Sequence, residues 1–402
     1  MNAPRKKKPP KPPKPRHIPR VLLLVETAGV LGRGIIEGIG RYAVENGPWS
    51  IQYEYRALDT MPPQKLKDWK GDGIITRTFN AKQAKLLQCS KLPRVELLGL
   101  PKYGTAHEVR SDLAEEARMA VDHFWDHGLR NFAYFSCGDV WWIKECHDNF
   151  SRILNERGHS CELYRTPICG QNMRTWDERY VPNLIEWLRG LPRPVGIYTP
   201  GDIYAVHLLD ICREIEIAVP EEIAILGRGN DPVICETVRP TLSSMELDVR
   251  RIGYEAARVL DSKMAGKRMT SAVFIPPVGV TVRQSTDVMI IEDADVVQAM
   301  QFIRDFACDG IDVLRVAEEV GLSRRVLERR FFRFLGRTPK AEIMRNRIDR
   351  AKMLLAQTDK SRESIARKCG FASPEYFSKA FYRLVGMKPH AYRKMRRVSR
   401  ES

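Results

Sequence analysis

The chain runs to 402 residues with 43% apolar content and a net charge of +16, enough for two or three packed domains. No apolar run reaches the length of a membrane span, and the Lys-rich start lacks the apolar core of a signal peptide. A cytoplasmic protein with no membrane partner is expected, its nine cysteines scattered without Cys-x-x-Cys or a His cluster, so that buried structural thiols, no metal and no cofactor are the default.

The charge is confined to the ends. The first twenty residues hold eight basic side chains and no acid, and residues 301–402 hold 25 Lys/Arg against 12 Asp/Glu, which leaves the middle at −5. A basic terminal module beside a mildly acidic body is the electrostatic footprint of a nucleic-acid binder. Residues 1–20 mix Pro, Lys and Arg and predict a disordered arm, either tracking DNA phosphate or merely solubilising.

Order begins with the apolar run Val21–Val25, which suits a buried parallel strand. Further strands are predicted at Ile51–Tyr55, Gly73–Ile75, Val95–Leu98, Phe132–Phe135, Cys161–Tyr164, Val195–Tyr198, Ile223–Leu226 and Val273–Ile275. Helices are predicted at Arg33–Glu45, Ala81–Cys89, Leu113–His127, Trp142–Arg157, Trp176–Leu188, Ile203–Glu214 and Val249–Met264. Such alternation argues for a doubly wound α/β fold, and its length for two lobes. There is no Gly-x-Gly-x-x-Gly, P-loop, Gly-x-Ser-x-Gly or His-Glu-x-x-His, so an enzyme is not expected.

Ligands of open α/β sheets bind beyond the carboxyl ends of the strands. Glu26, the Cys137–Lys144 loop, Asp202 and Asn230 all follow strands and are expected to converge on one interlobe cleft. A small polar ligand there would take polar contacts from Glu26, Arg33, Asp202, Asn230 and Asp231 and stack on Trp141 or Trp142. Bland readings stand beside these: Asp112 and Asp202 as helix caps, the Trp pair as packing. Arg33 at a helix start opposes the macrodipole, which favours a functional contact.

The last quarter writes one motif twice. Ala317, Gly321, Leu327, Phe331, Gly336 and Pro339 recur as Ala366, Gly370, Phe377, Phe381, Gly386 and Pro389, with Ala372 as one inserted residue. Each copy reads helix, Gly turn, apolar plug (Leu322, Phe371), Ser cap (Ser323, Ser373), second helix. A helix from Pro339 to Leu355, with Met344, Ile348, Ala351 and Leu355 on one stripe, would join them.

These residues, with Arg347, Ile365, Tyr392 and Arg393, resemble the DNA-binding domain of the AraC family. The resemblance implies two recognition helices in adjacent major-groove segments. It makes Arg324, Arg325, Glu328 and Arg329 on the first helix, and Glu375, Tyr376, Ser378 and Lys379 on the second, the base-reading positions. The preceding α/β part resembles the effector domain of the lactose-repressor family, itself similar to periplasmic sugar-binding proteins. Glu26-Thr27, Asp112, Asp202 and Gly227-Arg228-Gly229-Asn230-Asp231 carry that likeness, and Val282–Asp287 resembles its linker. Sugar-responsive members place Asp where Gly229 stands, Arg near Cys146 and Asn at Leu113.

The fold expected is therefore a two-lobed, periplasmic-binding-protein-like α/β sensor followed by an all-α double helix-turn-helix domain. Its divisions are an arm (1–20), a sensor and dimerisation domain (21–288), a DNA-binding domain (289–395) and a tail (396–402). The resemblance implies a homodimeric transcription activator on a double-stranded operator, gated by a pentose such as xylose or a related sugar and working with RNA polymerase. The alternative is a ligand-independent regulator whose α/β domain only dimerises or docks a protein partner.

Overall fold

The computed structural model describes residues 17–55, 57, 66, 69–79, 81–88, 90–98, 107–138, 140–166, 180–267, 271–288, 293–358 and 360–397. Most of the predicted arm, the start of the helix predicted from Trp176, and the last residues lie outside them. In chain order the α/β part comprises β1 (Arg20–Leu24), α1 (Val30–Asn46), β2 (Ser50–Tyr53), β3 (Gly73–Thr76), α2 (Ala81–Leu87), β4 (Arg94–Glu96), β5 (His107–Ser111), α3 (Leu113–Asp126), β6 (Asn131–Cys137) and α4 (Trp141–Glu156). It continues through β7 (Cys161–Thr166), α5 (Val181–Gly190), β8 (Val195–Tyr198), α6 (Asp202–Glu214), β9 (Ile223–Arg228), α7 (Pro232–Thr237), β10 (Ser243–Glu246), α8 (Val249–Met264), β11 (Val273–Ile275) and β12 (Gly279–Thr281).

The strands form two six-stranded sheets, ordered β11-β5-β4-β3-β1-β2 and β12-β10-β9-β8-β6-β7. All pairings in the first are parallel, and in the second only β10–β12 is antiparallel. The chain therefore passes between lobes three times, along α3, back at α8, and again between β11 and β12.

Each lobe has its own core. Val21, Leu23, Ile75, Val95, Ile252 and Leu260 build the first, and Phe132, Phe135, Phe150, Ile197, Leu208 and Leu226 belong to the second. In the first lobe α1 and α8 meet at backbone distance. A Cβ on Gly38 would lie 1.9 Å from the Arg250 carbonyl oxygen, and one on Gly253 would lie 2.0 Å from that of Ile35. Only glycine permits this crossing.

Three strands escaped prediction. β5 reads His-Glu-Val-Arg-Ser, β10 reads Ser-Ser-Met-Glu, and β12 has three residues. Their buried positions are filled largely by polar groups such as His107, Ser111, Ser243 and Ser244, so no apolar run marks them. α1 starts at Val30, earlier than the predicted Arg33. The Val282–Asp287 segment is docked rather than free: Ser285 donates to the Ile225 carbonyl (2.6 Å), and Thr286 donates to Ser243 (2.7 Å) and meets His123 (2.8 Å).

The helical part comprises α9 (Ala294–Phe306), α10 (Val313–Glu319), α11 (Arg324–Leu335), α12 (Pro339–Gln357), α13 (Arg362–Lys368), α14 (Pro374–Val385) and α15 (Pro389–Arg397). Gly321 (φ 65°) and Gly370 (φ 71°) make the tight turns, and the hydroxyls of Ser323 and Ser373 accept from the N–H groups of Val326 and Tyr376. α12 serves two cores. Ile343 closes one around Val316, Leu327 and Phe331, while Met344, Ile348, Ala351 and Leu355 enter a second around Ile365, Phe377 and Phe381.

Candidate effector cleft and nucleic-acid interface

Between the lobes the loops after β3 and β4, the ends of β5 and β9, and the starts of α1, α3, α4 and α8 surround a cavity of about 30 Å³, lined in part by Arg77, Arg110, Ser111, Trp142 and Arg228. That volume holds about one water molecule. Every charge around it is matched. Arg77 is ion-paired with Glu26. Arg228 forks onto Glu116, Nε to Oε2 at 2.6 Å and Nη2 to Oε1 at 3.1 Å. Arg110 lies between Glu145 (3.0 Å) and Glu108 (3.4 Å). Burial is the largest influence on the Arg228 guanidinium and would lower it, but Glu116 together with Cys146 and Tyr198 outweighs it and holds the group above its ordinary value. The rings of Trp142 and Trp141 lie 5.1 and 5.3 Å from the guanidinium carbons of Arg228 and Arg110.

Several neutral or half-used polar atoms here have no partner among the described residues. Ser111 Oγ and the indole N–H of Trp142, both on lining residues, are buried without one, as are the Trp141 indole N–H and Glu26 Oε2. Each such atom costs about 1–3 kcal/mol while unsatisfied.

Of the seven residues expected in the cleft, Trp142 lines the cavity, and Glu26 and Trp141 reach it through Arg77 and Arg110. Asp202 lies beneath, accepting from Ser244 Oγ and from the Asp231 N–H (2.9 Å); burial pushes its carboxyl up against those hydrogen bonds. The other three are engaged elsewhere. Arg33 folds back onto the carbonyls of Thr27 (3.2 Å) and Ala28 (2.8 Å). Asn230, at φ 52°, joins Thr281 (3.1 Å) and Arg283 (2.9 Å), while Asp231 caps α7 through the Val233 N–H (3.1 Å). Asp112 is a cap, accepting from Ala114 and Glu115 N–H groups at 3.1 Å.

Sequence reading missed Arg77, Arg110, Ser111 and Glu116, and had Arg228 only within the Gly227–Asp231 likeness. Arg77 follows β3 just as Glu26 follows β1, a positional signal that was available. Cys146 lies beside Arg228 and Glu116, its thiol pushed up to about 12 by burial. A guanidinium therefore does reach that neighbourhood, but from β9.

On α11, Arg324, Arg325 and Arg329 are exposed, and Glu328 is half-buried and paired with Arg324 at 2.9 Å. On α14, Glu375, Tyr376 and Lys379 are exposed, and Ser378 donates to the Pro374 carbonyl (2.8 Å). Ser378 and Lys379 also edge a basic groove of about 920 Å³ shared with Arg362, Lys388, Arg393 and Arg41 of α1.

The two parts are clasped at the end of α3. Asp126 accepts from Arg337 and Arg345, which also pair with Glu342 at 2.6 and 2.8 Å. Arg130 donates to the Phe334 carbonyl and stacks 3.9 Å from the Trp125 ring. Beside them His123 and His127 lie 4.4 Å apart, burial holding both imidazoles below their ordinary value.

Comparison with known proteins extends over nearly the whole chain. Residues 121–286 match the family described as periplasmic binding protein-like domain, and residues 316–395 match one described as helix-turn-helix domain. The chain is 33% identical to a xylose operon regulatory protein of Haemophilus influenzae, covering 93% of this chain and 98% of the relative. It is 31% identical to that of Escherichia coli, covering 93% and 96%. Among solved structures it is similar to a xylose-binding transcription activator, at 29% identity and TM-score 0.59, over 94% of this chain and 98% of that one. A LacI-type regulator of Alkaliphilus metalliredigens complexed with D-xylulofuranose shares the fold at 16% identity and TM-score 0.53, over 66% of this chain and 98% of that one.

Proposed function

The chain belongs to the family of the xylose operon regulatory proteins, and from that premise we propose that it is a transcription activator whose hold on DNA is gated by a sugar bound between its lobes. A pentose such as xylose fits the reading. It further takes the protein to be a cytoplasmic homodimer, without enzymatic activity, that works with RNA polymerase. The observation that carries the effector part is the set of unpartnered polar atoms around the cavity: Ser111 Oγ, both indole N–H groups and Glu26 Oε2. Hydroxyls of a sugar can donate to the oxygens and accept from the indoles. The cavity is too small for a sugar as it stands, so binding requires the lobes to part and then reclose.

The route to DNA runs along α3. Glu116 in its first turn holds Arg228 at the cleft, and Asp126 at its last residue holds Arg337 and Arg345 of the DNA-binding part. The ten steps from Glu116 to Asp126 span about 15 Å of rigid rod. A sugar that changes the lobe angle therefore tilts the helical domain, and only its differential affinity for the two angles drives the shift. Arg324, Arg325, Glu328 and Arg329, with Glu375, Tyr376, Ser378 and Lys379, are the proposed contacts to two groove segments about one turn, roughly 34 Å, apart, with Arg324 and Lys379 gripping phosphate and the others reading bases.

A ligand-independent regulator is the second reading, favoured by the complete pairing of charges at the cleft. Thermal-shift titration against pentoses, hexoses and their phosphates separates the two. A sugar at a hundred times its dissociation constant adds about 2.7 kcal/mol. A shift with one sugar that Ser111→Ala and Glu26→Gln both weaken supports gating. No shift across the panel, with operator binding intact, supports the second reading.

A further inference from the structure

Two thiols face each other across the seam between the helix-turn-helix units. Cys308 lies in the single turn Ala307–Asp309 that leads into the first unit, and Cys369 ends α13 of the second. The backbones close on each other here: a Cβ on Gly370 would lie 2.7 Å from the Cys308 carbonyl oxygen. Cys308 packs against the second core, to which Cys369 belongs. Arg347 of α12 brackets the turn, donating to the carbonyls of Ala307 (2.7 Å) and Ile311 (2.8 Å). Cys308 is half-buried and open to a small reagent, whereas Cys369 is fully buried in the second core.

We propose that Cys308 and Cys369 form a redox couple that hydrogen peroxide closes to an intrachain disulfide, clamping the two DNA-reading units against each other. The roles divide by environment. The neighbouring Cys369 outweighs burial at Cys308 and, helped by Arg350 and Arg347, brings that thiol down to about 7. Cys308 and burial together push Cys369 up. Cys308 is thus the attacking thiolate. Its sulfur takes the terminal oxygen of the peroxide, the O–O bond breaks, and the leaving hydroxide takes a proton to become water. The Cys369 sulfur then attacks the sulfenic acid, the S–S bond forms, and the displaced hydroxide leaves with the Cys369 proton as a second water. Two thiols and one peroxide become one disulfide and two waters. Elsewhere burial pushes Cys146, Cys161, Cys212 and Cys235 up to about 12, so none of them competes at neutral pH.

Bond formation draws the sulfurs to about 2.05 Å. The bond ties α13 to the Cys308 turn and so constrains where α14 can sit. Two recognition helices that match adjacent groove segments lose that match when one shifts.

The test treats reduced full-length protein with hydrogen peroxide, blocks the remaining thiols, and maps peptides without reductant. The expected result is a peptide pair joined through Cys308 and Cys369 and two hydrogens lighter than the free pair. Affinity for a duplex selected by the reduced protein should fall about tenfold or more and return with dithiothreitol. Cys308→Ser, at the half-buried position, should keep full affinity in peroxide. Cys369→Ser should leave Cys308 as a sulfenic acid that dimedone traps. The idea is overturned if peroxide oxidises other cysteines while these two stay free, or if the disulfide forms and affinity does not change.

Discussion

Glu116→Gln isolates the consequence of the buried pair at the cleft. Gln keeps the volume of Glu116 but removes its charge, and leaves the Arg228 guanidinium, whose side chain is 4% exposed, without a counter-charge. Arginine cannot escape by losing its proton, because its pKa exceeds 12. Two charge-assisted hydrogen bonds, at 2.6 and 3.1 Å, become at best neutral-acceptor ones. Breaking one side of such a pair typically costs about 3–5 kcal/mol. The deficit should be the same at pH 5.5 and pH 8, since the residue left behind does not titrate there. Glu116→Leu with Arg228→Met removes both charges and should recover to within about 1 kcal/mol of the parent, or exceed it. Urea unfolding followed by circular dichroism measures all three. A Glu116→Gln deficit below about 1 kcal/mol would mean that water reaches the guanidinium, and the account of the cleft as closed by its own charges would fail.

Gly253→Ala, which places a methyl 2.0 Å from the Ile35 carbonyl oxygen, should lower stability by about 1–3 kcal/mol or more, whereas Gly40→Ala, with nothing within 4 Å, should gain up to about 1 kcal/mol; thermal melts of the two compare them. His123 and His127 stay neutral in the folded protein, because burial lowers both, while the unfolded chain takes protons below about pH 6.5. Their stabilisation is therefore present above that pH and lost as it falls, at up to about 1.4 kcal/mol per unit for each; His107 and His207 share the sign. A melting temperature that stays level from pH 7.5 to 5.5 refutes this. Arg329→Ala should cost about 1–3 kcal/mol on a selected duplex and relax the preferred sequence, while Lys379→Ala should weaken all duplexes alike and reduce the salt slope by about one. Binding titrations at several salt concentrations distinguish these, and equal loss of sequence preference in both variants would refute the division.

The paired helix-turn-helix units and the helix joining them were legible because their signals are local, whereas α9 and α15 were not expected. Apolar residues at helical spacing, a turn glycine and a capping serine recur in step, and the cores around Phe331 and Phe381 use those very positions. The sheets were legible where strands are buried by Val, Ile and Leu, and illegible where polar side chains take the buried positions, as in β10 with Ser243 and Ser244. At the cleft, position at a strand's carboxyl end identified Glu26, but its partner Arg77 stands 51 residues on, and Glu116 is 112 residues before Arg228. No local pattern pairs residues so distant. Arg33 misled because a cation at a helix start does need a reason, and the carbonyls of the preceding loop supply it.

The triple passage of the chain between lobes bears on which pieces of this protein can be traded. Neither lobe is one continuous stretch: the first is assembled from residues before Asp112 and from α8 with β11, so a cut after β5 would strip its sheet of an edge and its core of Ile252 and Leu260. Among the described residues a single thread joins β12 to α9, which makes that joint the natural place to graft a different reader onto this sensor. Such a chimera would fold without hearing its sensor unless the incoming module offered arginines to Asp126 and a carbonyl to Arg130.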